Sequence, residues 1–174
     1  MKRLLNFIIC KIKAFSSGAR IARRTTIHPT VVIKRRGGTI EIGEKCEIHR
    51  GAQLLAYSGS IVIGNDCSIN PGCILYGHGG LKIGSNVRIA AHVLIIPVNH
   101  VFSDPHRLIR EQGETRLGIS IGDDVWLGAR VTVLDGVKIA DGCVIGAGSV
   151  VNRSTEPYGV YAGVPAKLIK RRTA

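Results

Sequence analysis

Two histidines, His100 and His106, fall inside the one long stretch that interrupts an otherwise regular chain. Imidazole changes charge near neutral pH, so a histidine fixed beside open space suits proton abstraction. His100 is the better placed, because it closes the ordered segment "IGSNVRIAAHVLIIPVNH", residues 83–100, while His106 lies deeper in the interruption. A histidine that only ties the interruption to the body of the protein is the competing reading. Asn70 lies in "INPG", residues 69–72. Its amide could hold a ligand hydroxyl, or it could be a corner residue tolerant of left-handed backbone. Trp126 is the only tryptophan and sits outside the apolar pattern, which suits an interface or a ligand contact. Lys167 and Lys170 belong to the basic segment "AGVPAKLIKRR", residues 162–172. They could meet phosphates as point charges, or form a solvated tail.

The elements that position these residues follow from a six-residue beat. From Ile42 the beat falls on Ile48 and Leu54, then on Ile63, Ile69 and Leu75, then on Ile83, Ile89 and Ile95. After the interruption it resumes at Ile121, Leu127, Val133, Ile139, Ile145 and Val151. Every mark is Ile, Leu or Val. Four residues after a mark stands a small residue, such as Cys46, Ala52, Cys67, Cys73, Val87, Val125, Cys143 or Ser149. Four of the five cysteines thus share one slot, which reads as small buried hydrophobes rather than disulfides or metal ligands. A period of six is neither helical nor a single long strand. A short strand followed by a corner fits it, with three such units closing a triangular coil and stacked coils pairing as parallel strands. Glycines after many marks let the chain bend at corners. A loop adds nothing to such a core, so an interruption at 101–118 points to function.

On these residues the chain resembles the hexapeptide-repeat acyltransferases of bacteria. The resemblance implies an all-β fold, the left-handed parallel β-helix, with short N-terminal and C-terminal helices. It implies acetyl-CoA as co-substrate, no metal, and a homotrimer with substrate grooves between prisms. The segment ending at His100 is similar to that ending in the catalytic histidine of sugar O-acetyltransferases, so His100 becomes the expected general base. Asn70 matches an asparagine lining their acceptor site. His78 falls where relatives place an acceptor-binding carboxylate, a departure from the pattern. Trp126 matches a residue beside the histidine. Ala129, Ala147, Asn152, Lys167 and Lys170 match coenzyme A contacts, with Lys at two positions that often carry Arg. The loop segment "DPHRLIREQG" is similar to that of members acting on bacterial surface saccharides.

The expected activity is therefore O-acetylation of a sugar or surface-saccharide hydroxyl. An N-acetyltransferase of an amino-sugar nucleotide is the alternative. A non-catalytic β-prism scaffold and a zinc carbonic anhydrase on the same prism are further ones, although His92 and His100 are eight residues apart where the zinc family has a closer pair. The 174 residues suit one domain, at 45 % hydrophobic and only 5 % aromatic. The formal net charge of +12 favours anionic partners. Without interleaved aromatics or a recognisable motif, nucleic acid is set aside. The expected organisation is a basic N-terminal helix or cap over 1–25, the β-helix over 26–156, and a turn and helix over 157–174. The N-terminal residues Leu4, Leu5, Ile8, Ile12 and Phe15 would share one helix face, capping the fold or touching a membrane. The expected location is cytoplasmic, including the inner face of the membrane.

Overall fold

The structure is a computed structural model that describes Ile9, residues 12–14 and residues 16–173. Three parallel sheets form the three sides of a prism. The first face stacks Arg20–Ile21, Thr39–Ile42, Ser60–Ile63, Leu81–Ile83, Ile119–Ile121 and Lys138–Ile139. The second stacks Thr26–Ile27, Glu47–Ile48, Ser68–Ile69, Arg88–Ile89, Trp126–Leu127 and Val144–Ile145, followed by Gly159–Gly163. The third stacks Val32–Lys34, Gln53–Leu55, Ile74–Tyr76, Leu94–Ile95, Thr132–Val133 and Val150–Val151.

The six-residue beat is the register of this prism. Ile42 pairs with Ile63, Ile48 with Ile69, and Leu54 with Leu75, so equivalent marks stack coil upon coil. Every marked aliphatic from Ile42 to Val151 is no more than 3 % exposed. Each buried Ile, Leu or Val side chain stabilises the fold by about 1.5–3 kcal/mol, so the ladder as a whole carries the prism. The small slot is buried as well, with Cys46, Cys67, Cys73 and Cys143 among its members. Burial raises the Cys73 thiol above its ordinary pKa, and a hydrogen bond to Cys46 together with burial does the same to Cys67. Such thiols pack as hydrophobes.

Left-handed residues turn the chain at the edges. On the first edge Asp66, Asn86 and Asp124 adopt left-handed backbone, with φ of 55°, 61° and 53°. Side chains there also link coils. Asn65 Oδ1 accepts from the Glu44 N–H at 2.8 Å, and Asp123 Oδ1 accepts from the Ser85 N–H at 2.7 Å.

Two expected boundaries change. The prism begins earlier than residue 26: Arg20–Ile21, inside the expected cap, pairs with Glu41–Ile42 and opens a first coil that continues with Ile27 on Ile48 and Ile33 on Leu54. The C-terminal segment is a strand, not a helix. Ala166–Arg171 turns back at Pro165 and pairs antiparallel with Gly159–Gly163. The last rung would otherwise leave a row of unpaired N–H and C=O groups, and pairing them outweighs the helical preference of a six-residue segment. At the other end residues 12–14 and 16–17 are helical, with Ile12 59 % exposed. Lys13 Nζ donates to Val31 O at 2.7 Å and Arg35 donates to Gly18 O at 2.9 Å, which ties this end to the first coil. Leu4, Leu5, Ile8 and Phe15 lie outside the described residues. Among the described residues no helix is long and apolar enough to cross a membrane.

Candidate functional site

The interruption leaves the third edge after Leu94–Ile95 and rejoins the first face at Ile119. It is more ordered than its sequence suggests. Asn99–His100 forms a strand that pairs antiparallel with Glu114–Thr115, placing His100 opposite Glu114. The tip holds a single 3-10 turn at Ile109–Glu111. Gln112 stitches that tip: its side-chain oxygen accepts from the Asp104 N–H at 3.0 Å, and its amide donates to Asp104 O at 2.9 Å and Arg107 O at 3.0 Å. The return limb is held by Asp135 on the next coil, whose carboxylate accepts from Leu117 N–H, Gly118 N–H and the Thr115 hydroxyl.

His100 is exposed and lines an open recess of about 510 Å³ together with Arg110, Gly113, Glu114 and Arg116. Two N–H groups of the Arg116 guanidinium donate to one oxygen of Glu114, Oε2, at 2.9 and 3.1 Å. That hydrogen bonding keeps its carboxyl below the usual range, with a further contribution from the nearby His100. His106 is exposed at the tip and is not among the recess residues. A proton acceptor on a paired backbone, open to a space that admits a second molecule, is the arrangement general-base chemistry needs.

His78 sits on the third edge, close enough to Arg116 and Glu114 to feel both charges. Burial, first, and Arg116 hold its imidazole below the ordinary range. Its Nδ1 is buried without a hydrogen-bond partner among the described residues. The ring belongs to an aromatic row: Tyr57 at 4.9 Å and Tyr76 at 5.5 Å from His78, with Tyr57 and Tyr76 stacked at 5.7 Å. The Arg36 guanidinium lies 5.0 Å over Tyr57 and extends the row down the prism. Sequence reasoning missed this row because Arg36, Tyr57 and His78 are far apart in the chain. The stacking of Lys34 on Leu55 and of Leu55 on Tyr76 brings them to one edge.

Most of the other expected site residues, acceptor and donor alike, lie elsewhere. Asn70, Ala129 and Ala147 follow strands of the second face and share the second edge. Asn70 is half-buried, and its amide donates to Ile89 O at 2.8 Å, leaving its carbonyl oxygen to a ligand. The N–H groups of Ala129 and Ala147 donate to no backbone carbonyl among the described residues. A Cβ added at the adjacent Gly148 would meet nothing within 4 Å, so the edge is open to a slender ligand there. Trp126 is 55 % exposed on the outer side of the second face, in the column Trp126–Val144–Val160–Lys170. A register shift in the C-terminal hairpin pairs Lys167 with Ala162 and Lys170 with Val160, which puts both ammonium groups on that outer side. Asn152 is exposed on the third edge, beyond Val150–Val151.

The candidate residues therefore divide. His78, His100 and Asn152 stand on the third edge; Asn70, Ala129 and Ala147 stand on the second, with Trp126, Lys167 and Lys170 on the second face. The third face lies between the two edges, so of the expected donor contacts one chain brings only Asn152 to the edge of His100, and keeps Ala129, Ala147, Lys167 and Lys170 away from it. Among the described residues, no group of three or more His, Cys, Asp or Glu is arranged to hold a metal ion.

Residues 118–153 match the bacterial transferase hexapeptide family (six repeats), so the last coils carry that family's repeat. Galactoside O-acetyltransferase of Escherichia coli (strain K12) is 41 % identical over 91 residues, covering 52 % of this chain and 43 % of that enzyme. WbbJ of the same organism, provisionally named a lipopolysaccharide biosynthesis O-acetyl transferase, is 42 % identical over 98 residues, covering 52 % of this chain and 50 % of its own length. The chain thus spans half or less of the curated relatives it matches. Among solved structures, AntD, an N-acyltransferase from Bacillus cereus in complex with dTDP and 3-hydroxybutyryl-CoA, superposes with a TM-score of 0.82 at 23 % identity, covering 94 % of this chain and 88 % of AntD. The fold is that of the left-handed β-helix acyltransferases.

Proposed function

We propose that the protein is an acetyl-CoA-dependent O-acetyltransferase acting on a hydroxyl of a sugar or bacterial surface saccharide. The observation that carries this reading is His100, fixed by strand pairing at the mouth of an open recess. An alcohol is a weak nucleophile near neutral pH. His100 takes the acceptor's hydroxyl proton as its oxygen attacks the thioester carbonyl carbon. The oxyanion that forms needs a fixed donor, and the N–H of Ala129 on the second edge is the candidate. The tetrahedral species collapses with loss of the thiolate, which recovers the proton from the imidazolium. No acyl-enzyme is needed.

Because the base and most of the donor residues occupy different edges, the reading requires a second copy. The third edge of one prism meets the second edge of the next, and three copies close the ring. Lys167 and Lys170 then meet coenzyme A phosphates, and the Tyr57–Tyr76–His78 row faces the acceptor. The galactoside and lipopolysaccharide relatives support a saccharide acceptor. The AntD likeness leaves an amino-sugar nucleotide as the second reading. Hydroxylamine separates the two, since it cleaves an ester product and spares an amide.

The test is His100→Ala, assayed for transfer from labelled acetyl-CoA to lipid-linked and nucleotide sugars, with the mass of the assembly measured in parallel. A loss of about 10²–10⁴-fold in an intact oligomer is expected. Retained transfer in that oligomer would remove the base assignment. The basic N-terminus supports an acceptor at the inner face of the membrane. Flotation with anionic vesicles checks this, and a protein that stays at the bottom of the gradient counts against it.

A further inference from the structure

His100 is exposed, so burial does not fix its imidazole. Something other than packing must hold it, because a solvent-facing imidazole on a free loop would sample many positions. The holding contacts converge on one carboxylate. Asp135 follows Thr132–Val133, one coil beyond the interruption, and is half-buried. Its Oδ2 accepts from Leu117 N–H at 3.1 Å and from Thr115 Oγ1 at 3.2 Å, while Oδ1 accepts from Gly118 N–H at 3.0 Å. The backbone beside it joins in, with Gly136 N–H donating to Gly118 O at 2.9 Å. Thr115 in turn pairs with Asn99, and Glu114 with His100.

We propose that Asp135 is a positioning residue for His100: it clamps the return limb at 115–118 to the rigid prism and so fixes the two-residue ladder that carries the imidazole. The inference deepens the proposed function and rests on the assignment of His100 as base. Two features single out Asp135 from an ordinary corner aspartate. The carboxylates of Asp123 and Asp141 each accept one backbone N–H of a neighbouring coil, whereas Asp135 takes three donors, all from the excursion. Among the described residues it has no cationic partner, so its charge is spent on those donors. The two-residue ladder is too short to hold register unaided, since an isolated hairpin is marginal in water.

The experiment compares wild type, Asp135→Ala, Asp135→Asn and Thr115→Val as full-length, uniformly ¹⁵N-labelled proteins. The readouts are the His100 ring resonances across a pH titration, amide exchange at Leu117 and Gly118, and the melting temperature. Asp135→Ala should speed exchange at both amides by about ten-fold or more, and broaden or shift the His100 ring signals. The His28, His49 and His92 signals and the melting temperature should hold. Asp135→Asn should recover part of the effect, because one amide oxygen can still accept. Thr115→Val removes a single donor and should show a smaller change in the same direction, which keeps the test meaningful if the Asp135 variants fold poorly. Faster exchange with an unchanged His100 spectrum would reduce Asp135 to a loop closure and overturn the proposal. Unchanged exchange would overturn the clamp itself. If His100→Ala retained transfer while Asp135→Ala disturbed the ring, the clamp would stand and the base assignment would fall.

Discussion

The prism and its excursion are ordered by opposite means. In the prism each coil repeats the last, and order comes from aliphatic side chains that touch the coil above and the coil below. In the excursion from Val101 to Leu117 no residue is buried, and Phe102, Leu108, Ile109 and Leu117 are each more than half exposed. Order there comes from a few polar contacts centred on Gln112 and Asp135. Stability is therefore spread along the molecule while the geometry of the proposed site is concentrated, and damage to one should leave the other measurable.

The sharpest way to break this contrast is a reciprocal pair of variants. Leu127→Ala removes a side chain that is 0 % exposed from the middle of the ladder and should cost about 2–5 kcal/mol, read as a lower melting temperature. Assayed well below its melting point it should still transfer acetyl groups. His100→Ala should show the inverse, a lost activity on an unchanged melt. If Leu127→Ala abolished transfer while still folded, the separation would be false.

A smaller effect belongs to the C-terminal hairpin. Lys167→Ala and Lys170→Ala should each raise the KM for acetyl-CoA several-fold, the scale of an exposed charge contact of up to about 1 kcal/mol, and the penalty should shrink in high salt. An unchanged KM would return the segment to the role of a cap alone.

The smallest effect concerns His78. Burial and Arg116 depress its pKa, so as pH falls the folded chain takes up this proton later than the unfolded chain does. Its contribution is complete above the ordinary imidazole value of about 6.5 and turns unfavourable below it, so stability declines on acidification through that window. His78→Asn should therefore lose less melting temperature than wild type between about pH 7 and pH 5. The ring is only half-buried, so the difference should be small.

How far the sequence reached depended on how local each signal was. The ladder from Ile42 to Val151 was legible because register repeats in the chain itself. The first coil carries the same spacing at Ile21, Ile27 and Ile33, but Ile21 falls outside the expected β-helix because the run to the next mark, Ile42, is nine residues rather than six. That longer corner passes through Gly37 and Gly38, where an added Cβ at Gly38 would lie 2.3 Å from Gly59 O. The segment "AKLIKR" reads as helix because Ala, Lys and Leu favour helices, and only the open edge of the last rung makes it a strand. His100 could be found because it ends a repeat. Asp135 could not, since "LDG" at 134–136 has the composition of any corner and its partners lie across a coil boundary. Nor does the linear order reveal that Asn70 and His78, only eight residues apart, stand on different edges of the prism.

The backward turn at Pro165 has a consequence for life in a crowded solution. A solenoid of parallel strands that simply stopped would offer its terminal rung as a template, and identical molecules could join end to end into fibres. The antiparallel strand over that rung reverses the chain direction, so a second molecule arriving in the orientation of the next coil finds no matching row to continue. On that face the parallel stack is closed at the point where the chain doubles back on itself.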